Sequence, residues 1–160
     1  MAKKGKKKGL AEPGRIINRK ARFDYQIGRT LECGIRLVGT EVKQLRVGQA
    51  QMADAFARIE HGKLLLQGVH IDPYPHASEQ ANHDPRRLRT LLAHKREIRQ
   101  LEAETRERGV TLVPLEIYFK DGRAKVELGV GRGKRAADKR ESIKKKDAER
   151  EMRRAERQRY

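Results

Sequence analysis

Two runs of alternating apolar residues, joined by an Asp-Gly pair, constrain the fold of this chain more than any other stretch does. The alternating residues are Val113, Leu115, Ile117 and Phe119 in the first run and Ala124, Val126, Leu128 and Val130 in the second. Period two predicts half-buried strands, and Asp121-Gly122 favours a type I′ turn because both central residues need positive φ. This hairpin would pair Phe119 with Ala124, Ile117 with Val126, Leu115 with Leu128 and Val113 with Val130, which makes one face apolar.

The other face of the same hairpin carries like charges in opposite positions. The register sets Glu116 opposite Glu127 and Lys120 opposite Arg123, and such pairs are unfavourable. Either neighbouring cations neutralise the glutamates or the loop is longer than two residues.

The charge of the chain is concentrated at its two ends. The formal net charge is +17, which favours nucleic acid or an anionic membrane surface as partner. Residues 1–22 hold nine Lys and Arg against one Glu, residues 132–160 hold thirteen against six acids, and residues 23–131 are nearly balanced with seventeen against fifteen. The distribution predicts a compact module with two cationic extensions: a disordered arm at 1–14, a folded domain at 15–131 and a basic tail at 132–160.

Several functional classes lack support in the sequence. Cys33 is the only cysteine, so an internal disulfide is excluded, and no Cys/His spacing matches a zinc site. No nucleophile, base or metal ligand is paired with Glu32 or Glu41, and none of the five histidines forms an i, i+4 pair.

The lysine-rich start is not followed by an apolar stretch, and no run is long enough to span a membrane. We expect a cytoplasmic, monomeric protein that is not an enzyme and needs no cofactor or metal.

Further short strands with glycine at the corners predict a mainly β fold, a small closed antiparallel barrel. Residues 30–39 place Leu31, Cys33, Ile35 and Leu37 on one strand face, and Thr40 is expected to cap a short helix with Val42 and Leu45 inward and Gly48 at its end. A second hairpin would turn at His61-Gly62, pair Ile59 with Leu64 and Ala57 with Leu66, and continue through Val69 and Ile71.

Residues 84–109 carry the strongest helical pattern of the chain. Asp84 is a plausible N-cap, Pro85 suits the first helical position, and Gly109 would end the helix. An apolar stripe of five residues would face the core: Leu88, Leu91, Leu92, Ile98 and Leu101. Six basic residues would lie on the solvent side: Arg86, Arg87, Arg89, His94, Lys95 and Arg96. That face is either simply solvated or binds a polyanion.

Two other segments have a composition that suits RNA. Between residues 18 and 25 basic groups precede Phe23 and Tyr25, which favours phosphate contact and base stacking, although a solvated turn with two core aromatics fits as well. The tail has few apolar residues but holds the i, i+4 pairs Glu141/Lys145 and Glu149/Arg153. It is predicted to be disordered alone and helical on a polyanionic partner.

Five segments taken together resemble one family. They are NRKARFDYQI (18–27), GIRLVGTEVKQLRVGQA (34–50), HDPRRLRTLLAHKREI (83–98), GVTLVPLEIYF (109–119) and GRGKRAADKR (131–140). In this order, over residues 15 to about 145, the chain is similar to the SsrA-binding protein (SmpB) family. The resemblance implies an oligonucleotide-binding-type (OB) barrel with about three flanking helices and a basic tail. It also implies binding to the tRNA-like domain of transfer-messenger RNA (tmRNA), delivery with elongation factor Tu to stalled ribosomes for trans-translation, and no catalysis.

The resemblance also implies roles for particular residues. RNA-binding roles fall on Asn18, Arg19, Lys20, Arg22, Tyr25, Glu32, Lys43, His94, Lys95 and Arg96. Ribosome contacts in the decoding centre and the empty mRNA channel fall on the tail residues Gly133, Lys134, Asp138, Lys139 and Arg140. Two positions depart from the family pattern: Phe23 stands where many relatives have His, and Ala137 where many have an aromatic or His. Phe23 keeps the capacity to stack but removes a protonatable donor, whereas Ala137 lacks the ring that would stack in the decoding centre.

Two rival functions remain open at this point. A ribosomal or ribosome-assembly protein would share the size and charge but would bind ribosomal RNA at all times. An RNA-cleaving enzyme would need a carboxylate such as Glu32 to act in catalysis.

Overall fold

The structure, a computed structural model, describes residues 14–158 as nine strands and four α-helices. The predicted arm at 1–14 lies, except for Gly14, outside the described residues. The strands are β1 (Ile16–Ile17), β2 (Tyr25–Ile35), β3 (Ala50–Gln51), β4 (Phe56–Glu60), β5 (Lys63–Gln67), β6 (His70–Ile71), β7 (Arg89–Leu92), β8 (Val110–Lys120) and β9 (Arg123–Gly133). The helices are α1 (Ala21–Asp24), α2 (Gly39–Arg46), α3 (Lys95–Thr105) and α4 (Ala136–Gln158), with a 3-10 turn at Glu79–Ala81.

Six strands form a closed antiparallel ring in the order β8-β4-β5-β7-β2-β9, because β9 pairs again with β8. The short strand β1 shares one edge of β8 with β4, and β3 pairs with β6 in a separate two-stranded sheet. The mainly β fold with flanking helices is therefore confirmed. Side chains that point into the ring form the core: Cys33, Leu64, Leu66, Leu91, Leu112, Ile117, Val126 and Leu128.

The β8–β9 hairpin confirms the predicted turn and half of the predicted register. Asp121 and Gly122 have φ of 52° and 74°, and the pairing follows the prediction from Lys120–Arg123 to Glu116–Glu127. Beyond Glu116 a bulge shifts the strands, so Leu128 pairs with Pro114 rather than Leu115. The predicted pairing of Val113 with Val130 is wrong for the same reason. Pro114 has no N–H to donate to the ladder, which favours an irregularity at this position.

The opposed glutamates are resolved by a neighbouring cation. Arg15 Nη2 lies 2.7 Å from Glu116 Oε2, while the turn keeps its two residues. The first of the two explanations offered by the sequence is therefore the correct one.

The helix predicted for residues 84–109 is wrong over its first half. Residues 89–92 form β7, which pairs with β5 and β2, and the helix α3 begins only at Lys95. Burial along β7 has period two: Leu91 is buried, whereas Leu92 and the preceding Leu88 are exposed. The leucine spacing suits either structure, but without β7 the ring between β5 and β2 would not close. Tertiary strand pairing overrides the local helical preference.

Arg89 is the clearest consequence of this correction. It was expected on a solvent face, yet its side chain is fully buried and its Nε lies 2.8 Å from Glu41 Oε1. Glu41 also accepts hydrogen bonds from Arg87 and from the N–H of Val38. Glu41 is therefore a structural carboxylate at the start of α2.

Two smaller predictions also need correction. The N-cap of α2 is Val38, not Thr40, and the Thr40 hydroxyl contacts His83 Nδ1 at 2.8 Å instead. The His61-Gly62 hairpin and its register are confirmed, but its second strand stops at Gln67 because Gly68 turns with φ +84°. A Cβ at Gly68 would lie 2.9 Å from the Asp54 carbonyl oxygen, and Val69 to Ile71 lead into β6 instead.

No helix in the described part of the chain is both long and apolar enough to cross a membrane.

Candidate nucleic-acid interface

The first group of predicted site residues lies around α1, at the end of the ring where β2 starts and β9 ends. Arg19, Lys20 and Arg22 are exposed, and Tyr25 is half-buried. Lys20 Nζ lies 2.9 Å from Asp54 Oδ1, and this exposed carboxylate raises the pKa of Lys20. The three cations and the tyrosine ring present a surface suited to a phosphate backbone with an unpaired base.

Asn18 belongs to this segment but does not lie on its surface. Its side chain is 4% exposed. The amide donates to the carbonyl oxygens of Met52 and Pro114 at 2.9 and 3.0 Å, and its oxygen accepts from Ala21 N–H at 3.1 Å. These bonds tie α1 to β8 and to the loop before β4. In this conformation Asn18 positions the cationic segment and offers no free group to RNA.

The base of the tail lies against the same α1. Gly133 pairs with Tyr25 as the last residue of β9, and Lys134 N–H donates to Asp24 O at 2.8 Å. Lys134 Nζ donates to Arg22 O at 3.0 Å, and Lys139 Nζ lies 3.0 Å from Asp24 Oδ1. The structure thus brings together two groups of residues that are more than a hundred positions apart in sequence.

The two remaining residues of the predicted tail set, Asp138 and Arg140, lie at the start of α4. Asp138 accepts a hydrogen bond from Arg135 N–H at 3.2 Å and so caps the helix. Arg140 is exposed, and no residue of α4 is buried. Beyond its first two turns α4 therefore presents charge on all sides.

A second group lies where α3 begins. His94 precedes α3, and Lys95 and Arg96 form its first turn; all three are exposed. The pairing of Leu92 with Gly34 brings this turn next to the middle of β2. At the far end of α3, Arg29 of β2 lies 2.6 Å from Glu104, which fixes the helix along the ring.

Glu32 lies on the outer face of β2 within a polar contact set. The Tyr118 hydroxyl donates to its carboxylate, and Lys120 Nζ lies 3.5 Å away. The hydrogen bond from Tyr118 and the nearby positive charges of Lys120 and Lys125 lower the pKa of Glu32. Glu32 is therefore an ionised acceptor at neutral pH, able to receive hydrogen bonds from a base edge or a ribose hydroxyl.

Lys43 lies in neither group. It is exposed on α2, and its Nζ lies 4.6 Å from the centroid of the Tyr74 ring. This cation–π contact leaves the ammonium accessible to solvent.

Two residues outside the predicted RNA-binding and tail sets, Asp24 and Phe23, join the tail to the α1 segment. Asp24 is the acceptor for both Lys134 and Lys139, and Phe23 lies under Lys139 with Nζ 5.9 Å from the ring centroid. The signal that could have found them was an isolated acid in an otherwise cationic segment, NRKARFDY. An acid in such a place suggests an internal partner.

The acid, histidine and cysteine side chains of residues 14–158 can be compared with what metal binding and nucleophilic attack require. No three His, Cys, Asp or Glu side chains of that range are grouped to hold a metal ion. Burial raises the pKa of the Cys33 thiol to about 11, so this group is protonated at neutral pH and unsuited to nucleophilic attack.

The fold and this distribution of charge define a class of protein: a nearly neutral antiparallel ring that carries basic segments suited to a polyanion. Residues 15–158 match the family model described as SmpB protein, and the chain belongs to the SmpB family. It is 52% identical over 148 residues to the SsrA-binding protein of Desulforudis audaxviator, a match that covers 91% of this chain and 96% of the relative. It is 55% identical over 147 residues to the SsrA-binding protein of Acidothermus cellulolyticus, with 90% and 92% covered.

A solved structure agrees with this assignment. The chain is similar to a protein chain from a structural study of tmRNA-SmpB in the bacterial ribosome, at 49% sequence identity and a TM-score of 0.66. The match covers 81% of this chain and 94% of the solved one. The family resemblance stated from the five sequence segments is confirmed.

Proposed function

We propose that this protein binds the tRNA-like domain of tmRNA and brings it to stalled ribosomes for trans-translation, without catalysing a reaction itself. The observation that carries the proposal is the junction at α1, where Lys134 and Lys139 of the tail contact Arg22 O and the Asp24 carboxylate. These two acceptors belong to the segment that carries the exposed Arg19, Lys20 and Arg22. One end of a nearly neutral ring thereby presents two cationic elements. The names of the relatives, SsrA-binding protein, support the same partner.

The ring is proposed to act as an OB-type barrel that selects RNA by shape. A folded RNA is recognised through its backbone and its unstacked bases more than through its groove edges. Arg19, Lys20 and Arg22 would bind phosphates and Tyr25 would stack on a base, while Glu32, Lys43, His94, Lys95 and Arg96 extend the contact along the outer face. Asn18 contributes indirectly, because its buried amide holds the α1 segment in place.

The tail is proposed to sense the ribosome. Arg140 and the exposed cations that follow it suit a channel lined by phosphates, an interaction driven by charge. The division proposed is an arm at 1–14, a folded RNA-binding domain at 15–131 and a tail at 132–160 that is disordered as an isolated peptide and helical on the ribosome. The absence of buried residues in α4 supports a helix that gains most of its stability from a partner. Elongation factor Tu is the expected companion on the RNA, and the expected location is the cytoplasm, with the protein acting as a monomer.

The test separates RNA binding from ribosome sensing. The full chain and a version truncated after Arg135 are compared for binding to a tRNA-like tmRNA fragment and for peptide tagging on ribosomes stalled at the end of a truncated message. Truncation at this point keeps β9 and the Lys134–Asp24 backbone bond. The truncated protein should bind the fragment nearly as well as the full chain and should support no tagging.

Three outcomes would contradict the proposal. Failure of the full chain to bind the fragment in preference to an unrelated RNA hairpin of equal length would remove the proposed partner. Equal association with translating and stalled ribosomes would point instead to a ribosomal or ribosome-assembly protein, which the family membership does not favour. Loss of RNA binding on truncation would contradict the separation of RNA binding in the folded domain from ribosome sensing in the tail.

A further inference from the structure

The hydrogen bonds and ion pairs between α4 and the rest of residues 14–158 are made by its first two turns and the residues just before them. They involve Lys134, Lys139 and Ser142 on one side and α1 on the other. Lys134 Nζ bridges Arg22 O at 3.0 Å and Ser142 Oγ at 3.3 Å, and Ser142 Oγ donates to Asp138 O at 2.9 Å. Past Ser142 the ion pair described for α4, Arg150 with Asp147, lies within the helix itself. The direction in which α4 leaves the ring is therefore set at this junction.

Asp24 is the residue on which these contacts converge. Its carboxylate lies 3.0 Å from Lys139 Nζ, with side-chain exposures of 24% and 37%, and its carbonyl oxygen accepts the Lys134 N–H at 2.8 Å. The Phe23 ring lies beside Lys139. A half-buried pair with an aromatic neighbour is better shielded from solvent than an exposed pair.

We infer that Asp24 is a positioning residue that sets the direction of the tail relative to the RNA-binding segment. Its neighbours in sequence, Arg22 and Tyr25, belong to the proposed RNA surface, so RNA bound there rests on the same four-residue helix that anchors α4. Asp24 need not touch RNA. It acts through Lys139. The tail is thereby held in a fixed orientation relative to the RNA that is bound at α1.

This inference deepens the proposed function, and its consequence for peptide tagging rests on that function. The position of the tail relative to the ring can be measured without RNA. Spin labels are placed at Lys63→Cys on the β4–β5 turn and at Lys146→Cys one turn past Ser142, in a Cys33→Ala background. The distance distribution between the labels is measured in the full chain. Asp24→Asn keeps the shape of the side chain and removes its charge; Lys139→Met keeps the aliphatic stem and removes the ammonium.

Either substitution should broaden the distance distribution. The ratio of molecules with α4 held against α1 to molecules with α4 released should fall roughly two- to fivefold. The double variant should be no broader than either single variant, because the two residues act as one pair. Glu79→Gln in the 3-10 turn and Lys144→Gln on α4 remove a charge elsewhere and should leave the distribution unchanged. A distribution unaffected by Asp24→Asn, or broadened equally by the two control substitutions, would overturn the inference.

A functional measurement completes the test. Asp24→Asn should lower peptide tagging on stalled ribosomes while the affinity for the tRNA-like fragment stays within about twofold of the parent. A parent chain that binds the fragment but gives no tagging would count against the proposed function and leave the distance measurement valid. Full tagging by Asp24→Asn despite a broadened distribution would show that tail direction does not matter for tagging, which contradicts the coupling inferred here.

Discussion

Arg89 Nε lies 2.8 Å from Glu41 Oε1, and both side chains are completely shielded from solvent between α2 and β7. The guanidinium also donates to the carbonyl oxygens of Val69 and Pro85 at 2.8 and 3.1 Å. A single side chain thus links α2, the start of β7 and the segment before β6. This network fixes β7 as a strand of the ring.

Replacing Arg89 by Met should strongly destabilise the protein. The substitution leaves Glu41 with one charged partner, Arg87. It also removes the guanidinium donor from the buried Val69 carbonyl oxygen and from Pro85 O, of which Pro85 O keeps a hydrogen bond from Ile71 N–H. Removing one member of a buried ion pair typically costs about 3–5 kcal/mol. Urea unfolding monitored by circular dichroism would measure the loss.

The matched control for Arg89→Met is Arg86→Met, three residues earlier on an exposed position. It should change the free energy of unfolding by no more than about 0.5 kcal/mol. Equal unfolding midpoints for the two variants would show that the buried pair contributes nothing to stability.

Stability should also fall in acid through Glu41. Burial alone would raise the pKa of this carboxyl, but the hydrogen bonds from Arg87, Val38 N–H and Arg89 outweigh it and lower the pKa below the usual 4.5. A group whose folded pKa is depressed stabilises the fold above its unfolded pKa and loses that contribution as the pH falls through the folded one. Unfolding free energies measured from about pH 6 down to about pH 3 should therefore decline below about pH 4.5.

In Glu41→Gln this part of the pH dependence should be missing. The variant should be less stable than the parent at about pH 6, and the two should converge as the pH falls. Parallel curves over this range would exclude Glu41 as a source of acid sensitivity.

Alanine substitutions at Arg19, Lys20 and Arg22 should each weaken binding to the tRNA-like fragment and reduce its salt dependence. Removing one phosphate-binding cation should reduce the steepness of log K against log salt by roughly 0.7–0.9. Fluorescence anisotropy titrations over a range of salt concentrations would measure both quantities. Lys63→Ala, an exposed cation on the β4–β5 turn, serves as control and should leave the slope unchanged.

Asn18→Ala should behave differently from these three variants. The substitution removes the amide donor from the carbonyl oxygens of Met52 and Pro114 and the acceptor of the Ala21 N–H, at a cost of about 1–3 kcal/mol in unfolding free energy. RNA affinity should fall because α1 is less well held, while the salt slope stays near that of the parent. Unchanged stability together with a reduced salt slope would instead make Asn18 a direct contact.

The tail should be largely unfolded when it is alone. The helix α4 buries no side chain, so a peptide of residues 132–160 lacks the tertiary packing that supplies most of the stability of helices in proteins. Its far-ultraviolet circular dichroism should show little helix in dilute buffer and a gain of helix when ribosomes or polyanionic RNA are added. A stable helix in the free peptide would contradict this.

Much of the ring was predictable because its signals are local. Asp121-Gly122 and His61-Gly62 both adopt the positive φ that a two-residue turn requires, and the alternating residues beside them pair as expected near each turn. The resemblance of five segments to one family likewise needed only the sequence. The signals weaken with distance from the turn: the bulge at Pro114 and the strand β7 depend on partners that a local pattern does not contain.

The sequence by itself determined the nearly neutral body with two cationic ends, the hairpins and the family. It did so because charge, turn preference and alternation are properties of neighbouring residues. Only the tertiary structure decided that Asn18 and Arg89 are buried, that residues 89–92 form a strand, and that Asp24 holds Lys139. These facts depend on which groups meet across the ring, since a polar side chain faces solvent or the interior according to whether the fold brings it a partner.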